Sequence, residues 1–358
     1  MSSRLAHSRL LRVGVILPVA GAVVALLWFR GPDWHVVGNA FQAVRWEWVA
    51  GAIALNLLSV VVRSFAWRTV IKQSMPPPHP PASLTFSAFC VGLFGNAVLP
   101  GRIGELARVA VLTRRMPRRP GLWATLVGTV FAHRLFDLVP ALGLVLWVLA
   151  TARIPGWATW SLTLFAASAV VLLAVGFAAA RRYSNPQIRT AEGAVRRLIT
   201  MARQGLGVLR SPLAAAVAGF FQCLGWLFQL LAVYVAMRAF GIHAPLPAAG
   251  LVLVLMNIAT IFPLWPGNVG LVQAAIALPL TQYGVGKGVG IAFGFGLQAI
   301  EASVGIGFGL LFLAHEGLSF AMLRKMPSAA DADAATGEED RPDAEPEGVH
   351  RSRARVPG

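Results

Sequence analysis

Arg102, Glu105 and Arg108 follow one another at three-residue spacing in "NAVLPGRIGELARVAVL", residues 96–112, directly after Pro100-Gly101. On a helix that spacing places all three near one face. A second group, His133, Arg134 and Asp137 in "FAHRLFDLVP", combines i,i+4 and i,i+3 separations and again shares a face. Arginines grouped with carboxylates can grip a phosphate or pair internally, and the acids can balance those arginines, bind a cationic group or exchange a proton. A less charged set, Asn268, Gln273, Gln298 and Glu301, lies in the last third of the chain, with Glu301 its single acid. Asn96, Gln229 and Asn257 are further polar residues that interhelical hydrogen bonding accounts for as well as function does.

The elements that must position these groups are set by composition. The chain has 358 residues, 56% of them hydrophobic and 13% charged, with a mean hydropathy of +0.66. That describes an all-α polytopic membrane protein rather than a soluble domain. Only seven of the fifteen acids precede residue 330: Asp33, Glu47, Glu105, Asp137, Glu192, Glu301 and Glu316. The net charge of +16 gathers in short arginine-rich segments between apolar runs, so anionic inner-leaflet lipid, not nucleic acid, is the expected counter-charge. Cys90 and Cys223 both sit in apolar stretches, which argues against a structural disulfide. Spacings for a metal site are missing, and no cofactor is expected.

A bilayer-crossing helix needs roughly 20 apolar residues. Six plain spans are expected at 13–29, 47–67, 122–150, 157–180, 212–239 and 286–315, and two interrupted ones at 84–99 and 247–265. The first is read as a retained signal anchor. Arg4, Arg9 and Arg12 place the N-terminus in the cytoplasm, and Arg68 and Lys72 mark the return after the second span. The basic cluster "TRRMPRRP" at 113–120 also belongs inside, so an even number of crossings, or a segment that enters and returns, must fill residues 84–112. Pro100-Gly101 supplies the reversal: proline lacks the amide hydrogen, and glycine reaches backbone angles closed to other residues. The same accounting makes 181–211 a cytoplasmic basic linker, both termini cytoplasmic, and 247–282 a segment that enters from the opposite side.

Pro100-Gly101-Arg102-Ile103-Gly104 aligns with Pro266-Gly267-Asn268-Val269-Gly270 at an offset of 166. Repeat 1 is therefore placed at about 84–150 and repeat 2 at about 247–316, each a broken re-entrant hairpin followed by a long helix, with inverted topology. Pro100, Gly101, Gly104, Pro266, Gly267 and Gly270 are the expected hinges; Arg102, Glu105, Arg108, Arg134, Asp137, Glu301 and Asn268 are the expected substrate contacts. A plainer reading makes Arg102-Glu105 and Arg134-Asp137 internal ion pairs, with Arg108 snorkelling to the cytoplasmic interface. The Gly-x-Gly patterns at 284–309 follow no strand and fit close helix packing, not a nucleotide loop. Residues 327–358, rich in Ala, Pro, Asp and Glu, form an expected disordered cytoplasmic tail after a membrane domain at 1–326.

"NAVLPGRIGELARVAVLTRR" resembles the membrane region of lysylphosphatidylglycerol synthases, a flippase-like domain that also occurs free-standing. The pattern N-x-x-x-P-G-R-x-G-E-x-x-R is met by Asn96, Pro100, Gly101, Arg102, Gly104, Glu105 and Arg108. Arg134 and Asp137 match a following arginine-aspartate pattern, and Pro263, Pro266, Gly267 and Gly270 match a later P-x-x-P-G-x-x-G. Gln273 stands where the family often has glutamate, and the soluble lysyl-transferase domain has no counterpart, so aminoacyl-phosphatidylglycerol synthesis is not expected. The resemblance implies translocation of a polar-headed lipid, phospholipid or isoprenoid-linked, across the cytoplasmic membrane. Two other readings stand beside it: a membrane scaffold for a lipid- or envelope-biosynthesis enzyme, and an intramembrane transferase or phosphatase using Glu105, His133 and Asp137.

Overall fold

The computed structural model describes residues 33–98, 103–117, 119, 121–182 (backbone alone from 176), 208, 211–261 and 268–317. The expected span 13–29, Pro100, Gly101, Arg102, Pro263, Pro266, Gly267, nearly all of the 181–211 linker and the 327–358 tail lie outside the described residues. Among the described residues every regular element is helical. After a short surface helix α1 (Trp34–Gln42), the order is α2 (Trp46–Ser74), α3 (Ala82–Val98), α4 (Gly104–Arg115), α5 (Leu122–Thr151), α6 (Gly156–Arg182), α7 (Pro212–Ala239), α8 (Leu246–Ala259) and α9 (Leu271–Leu280). A final helix runs as α10 (Lys287–Ala302), a π-helical stretch Ser303–Phe308, and α11 (Gly309–His315).

Five of these helices are long and apolar enough to cross a bilayer: α2, α5, α6 to Val175, α7, and the continuous run Lys287–His315. They match the expected spans after the first. One boundary differs. The second span does not stop at 67 but continues to Ser74, so Arg68 and Lys72 sit on its last turns, where cations oppose the negative end of the helix dipole. The two interrupted segments are the short helices α3 and α8, of 17 and 14 residues.

Local chemistry explains several ends. Glu105 lies in the first turn of α4 and Arg114 and Arg115 in its last, each favourable to the dipole. Pro212 opens α7 behind the N-cap Ser211. Gly270, at φ 92°, precedes α9, and the Gln273 Oε1 accepts its backbone N–H at 2.6 Å.

Helix starts recur at a nearly constant interval. Trp46 and Pro212 are 166 apart, Ala82 and Leu246 164, Gly104 and Leu271 167, and Leu122 and Lys287 165. The packing is reciprocal too: α5 lies on α8, while the π segment and α11 of the last helix lie on α3, and α2 and α7 pack extensively on each other. Lipid tails are as apolar as leucine, so such helices associate by close approach and polar contacts rather than by hydrophobic burial from water. Gly104 shows this directly: a methyl group there would collide with the Gly92 carbonyl oxygen and stand 2.5 Å from the Asn96 nitrogen of α3. The later glycines serve the same end, since Gly290 faces Ala277 and Gly294 faces Gln273.

Candidate functional site

Glu105, at the start of α4, is the meeting point of the two charged groups read from the sequence. Its Oε1 accepts hydrogen bonds from Nη2 of Arg134 on α5 and, at 3.4 Å, from Nδ2 of Asn96 on α3. Its Oε2 lies 2.5 Å from Arg108 Nη2, an ion pair outside hydrogen-bond geometry. Arg134 also donates from Nη1 to Asp137 Oδ2 at 3.1 Å. Arg134 thus ties the hairpin to the long helix through Glu105, while Asp137, one turn along the same helix, holds its guanidinium in place.

Arg108 does not reach an interface. It is 3% exposed, with its guanidinium 4.6 Å from the Trp67 ring centroid and 5.4 Å from that of Phe89. The snorkelling alternative is therefore corrected: facing Glu105 and enclosed by two rings, this cation gains cation–π attraction instead of water. Arg134 is the opposite case, its side chain 46% exposed.

Asp137 gathers donors from α7 that linear spacing does not disclose. Its Oδ1 accepts from Gln222 Nε2 and, at 3.2 Å, from Trp226 Nε1. His133, 1% exposed, has its Nδ1 4.0 Å from Asp137 Oδ2. Arg63 of α2 stacks on Trp226 at 5.2 Å and donates from Nη2 to Gln229 Oε1 at 2.8 Å; Gln229 Nε2 is 3.5 Å from Glu301 Oε1. The polar line therefore runs from Glu105 through Arg134 and Asp137 to Trp226, Arg63, Gln229 and Glu301, joining both halves of the protein. Arg63 was legible as a cation inside the 47–67 run, but nothing in the sequence paired it with Gln229.

The second polar set is divided. Glu301 joins the line just described. Gln273 Nε2 donates to Gln298 Oε1 at 2.7 Å, while its Oε1 holds Gly270. Asn268 is 3% exposed, adopts the left-handed φ of 45° and donates from Nδ2 to the Ala259 carbonyl at 2.9 Å, fastening the end of α8. Glu316, absent from every expected site, accepts from Ser87 at 2.7 Å and Arg115 at 2.8 Å, tying α11 to α3 and α4. Cys90 and Cys223 are both free thiols. Among the described residues no group of three or more His, Cys, Asp or Glu side chains could hold a metal ion.

Apolar helices of spanning length enclosing a polar line define an all-α, multi-pass membrane protein. The chain belongs to the lysylphosphatidylglycerol synthase TM region family, whose family model matches residues 10–309. No curated protein and no solved structure matches it.

Proposed function

We propose that the protein is a flippase-like transporter that moves a polar-headed lipid between leaflets of the cytoplasmic membrane, with both termini in the cytoplasm, and that it is not an enzyme. One observation carries the reading: a half-exposed Arg134 is held by carboxylates from two separate elements among apolar helices. Charges are kept at such depth where they are paired or line a path. Arg63, Arg108 and Arg134 balance Glu105, Asp137 and Glu301, so the described line carries no net charge with all six ionised. A lipid phosphate arriving at Arg134 displaces a carboxylate, which then takes a cationic headgroup or a proton. Arg102 adds a further cation at the hairpin. Arg108 serves by holding Glu105, and Asn268 by holding the second hairpin.

The same reading takes the repeats expected at about 84–150 and 247–316, each extended by the span before it to α2–α5 and α7–α11, as inverted repeats with re-entrant hairpins. Support comes from contacts between equivalent positions: Ser59 Oγ donates to the Gly225 carbonyl at 2.7 Å, and Arg63 to Gln229, each pair 166 apart. In a two-fold arrangement, equivalent residues meet at the axis. Alternating access then follows from rocking one unit against the other. Purified protein reconstituted into vesicles, with lipids of several headgroups followed by leaflet-resolved quenching, tests the proposal. Faster exchange of at least one headgroup than in protein-free vesicles is expected; unchanged distribution of all of them refutes it.

A further inference from the structure

Next to the polar line lies a crevice of about 250 Å³ whose lining contains no charged residue. It runs from Pro140 to Trp147 on α5 and from Cys223 to Leu230 on α7, with Leu246 of α8 as the remaining wall. Seven residues on either helix correspond to roughly 10 Å at the 1.5 Å rise per residue. Cys223 is exposed and Leu227 is 47% exposed, so the crevice opens sideways between α5 and α7.

Its position relative to the charges is the informative feature. The crevice starts one turn beyond Asp137 on α5, at Pro140, and one residue beyond Gln222 on α7, at Cys223. Trp226 belongs to both: it lines the crevice, while its indole N–H donates to Asp137. A ligand spanning the two environments must be charged at one end and hydrocarbon at the other. The volume falls short of the roughly 300–1,000 Å³ of pockets that enclose a whole small ligand, and the apolar lining suits a stretch of hydrocarbon chain and not a charged headgroup.

Building on the transporter reading, we propose that this crevice is the binding site for one hydrocarbon chain of a phosphate-bearing lipid whose headgroup engages Arg134. The lipid enters sideways between α5 and α7, and its chain lies against Trp226 while the phosphate competes with Glu105 and Asp137. A lipid that merely coats the protein has no reason to sense Arg134.

The test uses full-length protein in nanodiscs containing phosphatidylglycerol with a photoreactive diazirine on one acyl chain, and adducts are mapped by mass spectrometry. Adducts are expected at Cys223, Leu227 and Leu230. They should fall about tenfold in Arg134→Ala, the factor for losing one charge-assisted contact, and to background in Leu227→Trp, which fills the crevice. Labelling of the lipid-facing Leu164, 70% exposed on α6, should be unchanged in both variants, which also reports that they remain folded. Crevice labelling that equals labelling at Leu164 and ignores Arg134→Ala would overturn the proposal. Arg134-dependent labelling together with no leaflet movement in vesicles would keep this site and defeat the transporter reading instead.

Discussion

Glu105 and Arg134 are partners with different surroundings, and substitutions should separate them. Glu105 faces Arg108, which is sealed between Trp67 and Phe89. Removing that carboxylate leaves a buried cation without its counter-charge, a change that costs on the order of 3–5 kcal/mol in buried pairs. Glu105→Ala should therefore lower the thermal midpoint of the detergent-purified protein markedly. Arg134→Ala should lower it less, since its guanidinium is half-exposed and Asp137 keeps Gln222 and Trp226 as donors. Outside the spans, His79 sits between α2 and α3 with its Nε2 3.1 Å from the Met75 carbonyl and 3.2 Å from that of Lys72. Burial, then Lys72, Arg68 and Arg119, hold its pKa below the usual histidine value. The unfolded chain thus binds the proton more readily. The stability given by the neutral ring is complete above about pH 6.5 and is lost as pH falls from there through the depressed native value. Melting curves between pH 8 and 5 should show that decline in the wild type and a smaller one in His79→Gln. The charges at 105, 108, 134 and 137 could be read from the sequence because ionisable residues are conspicuous in apolar runs. Gln222 and Trp226 could not, because their pairing with Asp137 exists only once α5 lies against α7.

At the scale of elements, hairpin α3–α4 depends on the closeness that Gly104 permits. Gly104→Val should separate the two helices, break the Asn96–Glu105 contact and reduce folded yield measured by size-exclusion chromatography, whereas Gly143→Val, which meets open space, should not. The short helices α3 and α8 were visible in the sequence as apolar runs that stop near Pro-Gly, and the spans as runs of sufficient length. The extension of α2 to Ser74 was not, since Arg68 and Lys72 read as a loop when cations are taken only as markers of a membrane face. The π-helical stretch Ser303–Phe308 was equally hidden. Shifted by 166 it falls on 137–142, which includes Pro140, where α5 loses a backbone hydrogen bond. Both long closing helices are thus irregular beside the polar line, by different chemical means, and only the proline is marked in the sequence.

For the whole molecule, the proposed inverted arrangement makes a claim about sidedness. Arg114, in the last turn of the first hairpin, and Gln282, just after the second, should lie on opposite faces of the membrane. With Cys90 and Cys223 replaced by serine, single cysteines at positions 114 and 282 should react with an impermeant maleimide from opposite sides in oriented vesicles. Labelling of both from one side would remove the inverted repeat.

Transport through Arg134 is the central claim, and one measurement bears on it most directly. Wild-type protein, Arg134→Ala and the benign Leu164→Trp are reconstituted at equal folded density, and the initial rate of leaflet exchange is followed for a phospholipid the wild type moves. Leu164→Trp should match the wild type, while Arg134→Ala should be slower by about tenfold or more, as expected for loss of one charge-assisted contact. Arg134→Ala vesicles exchanging lipid at the wild-type rate would contradict the claim and leave Arg134 as an internal ion pair that only fastens α4 to α5.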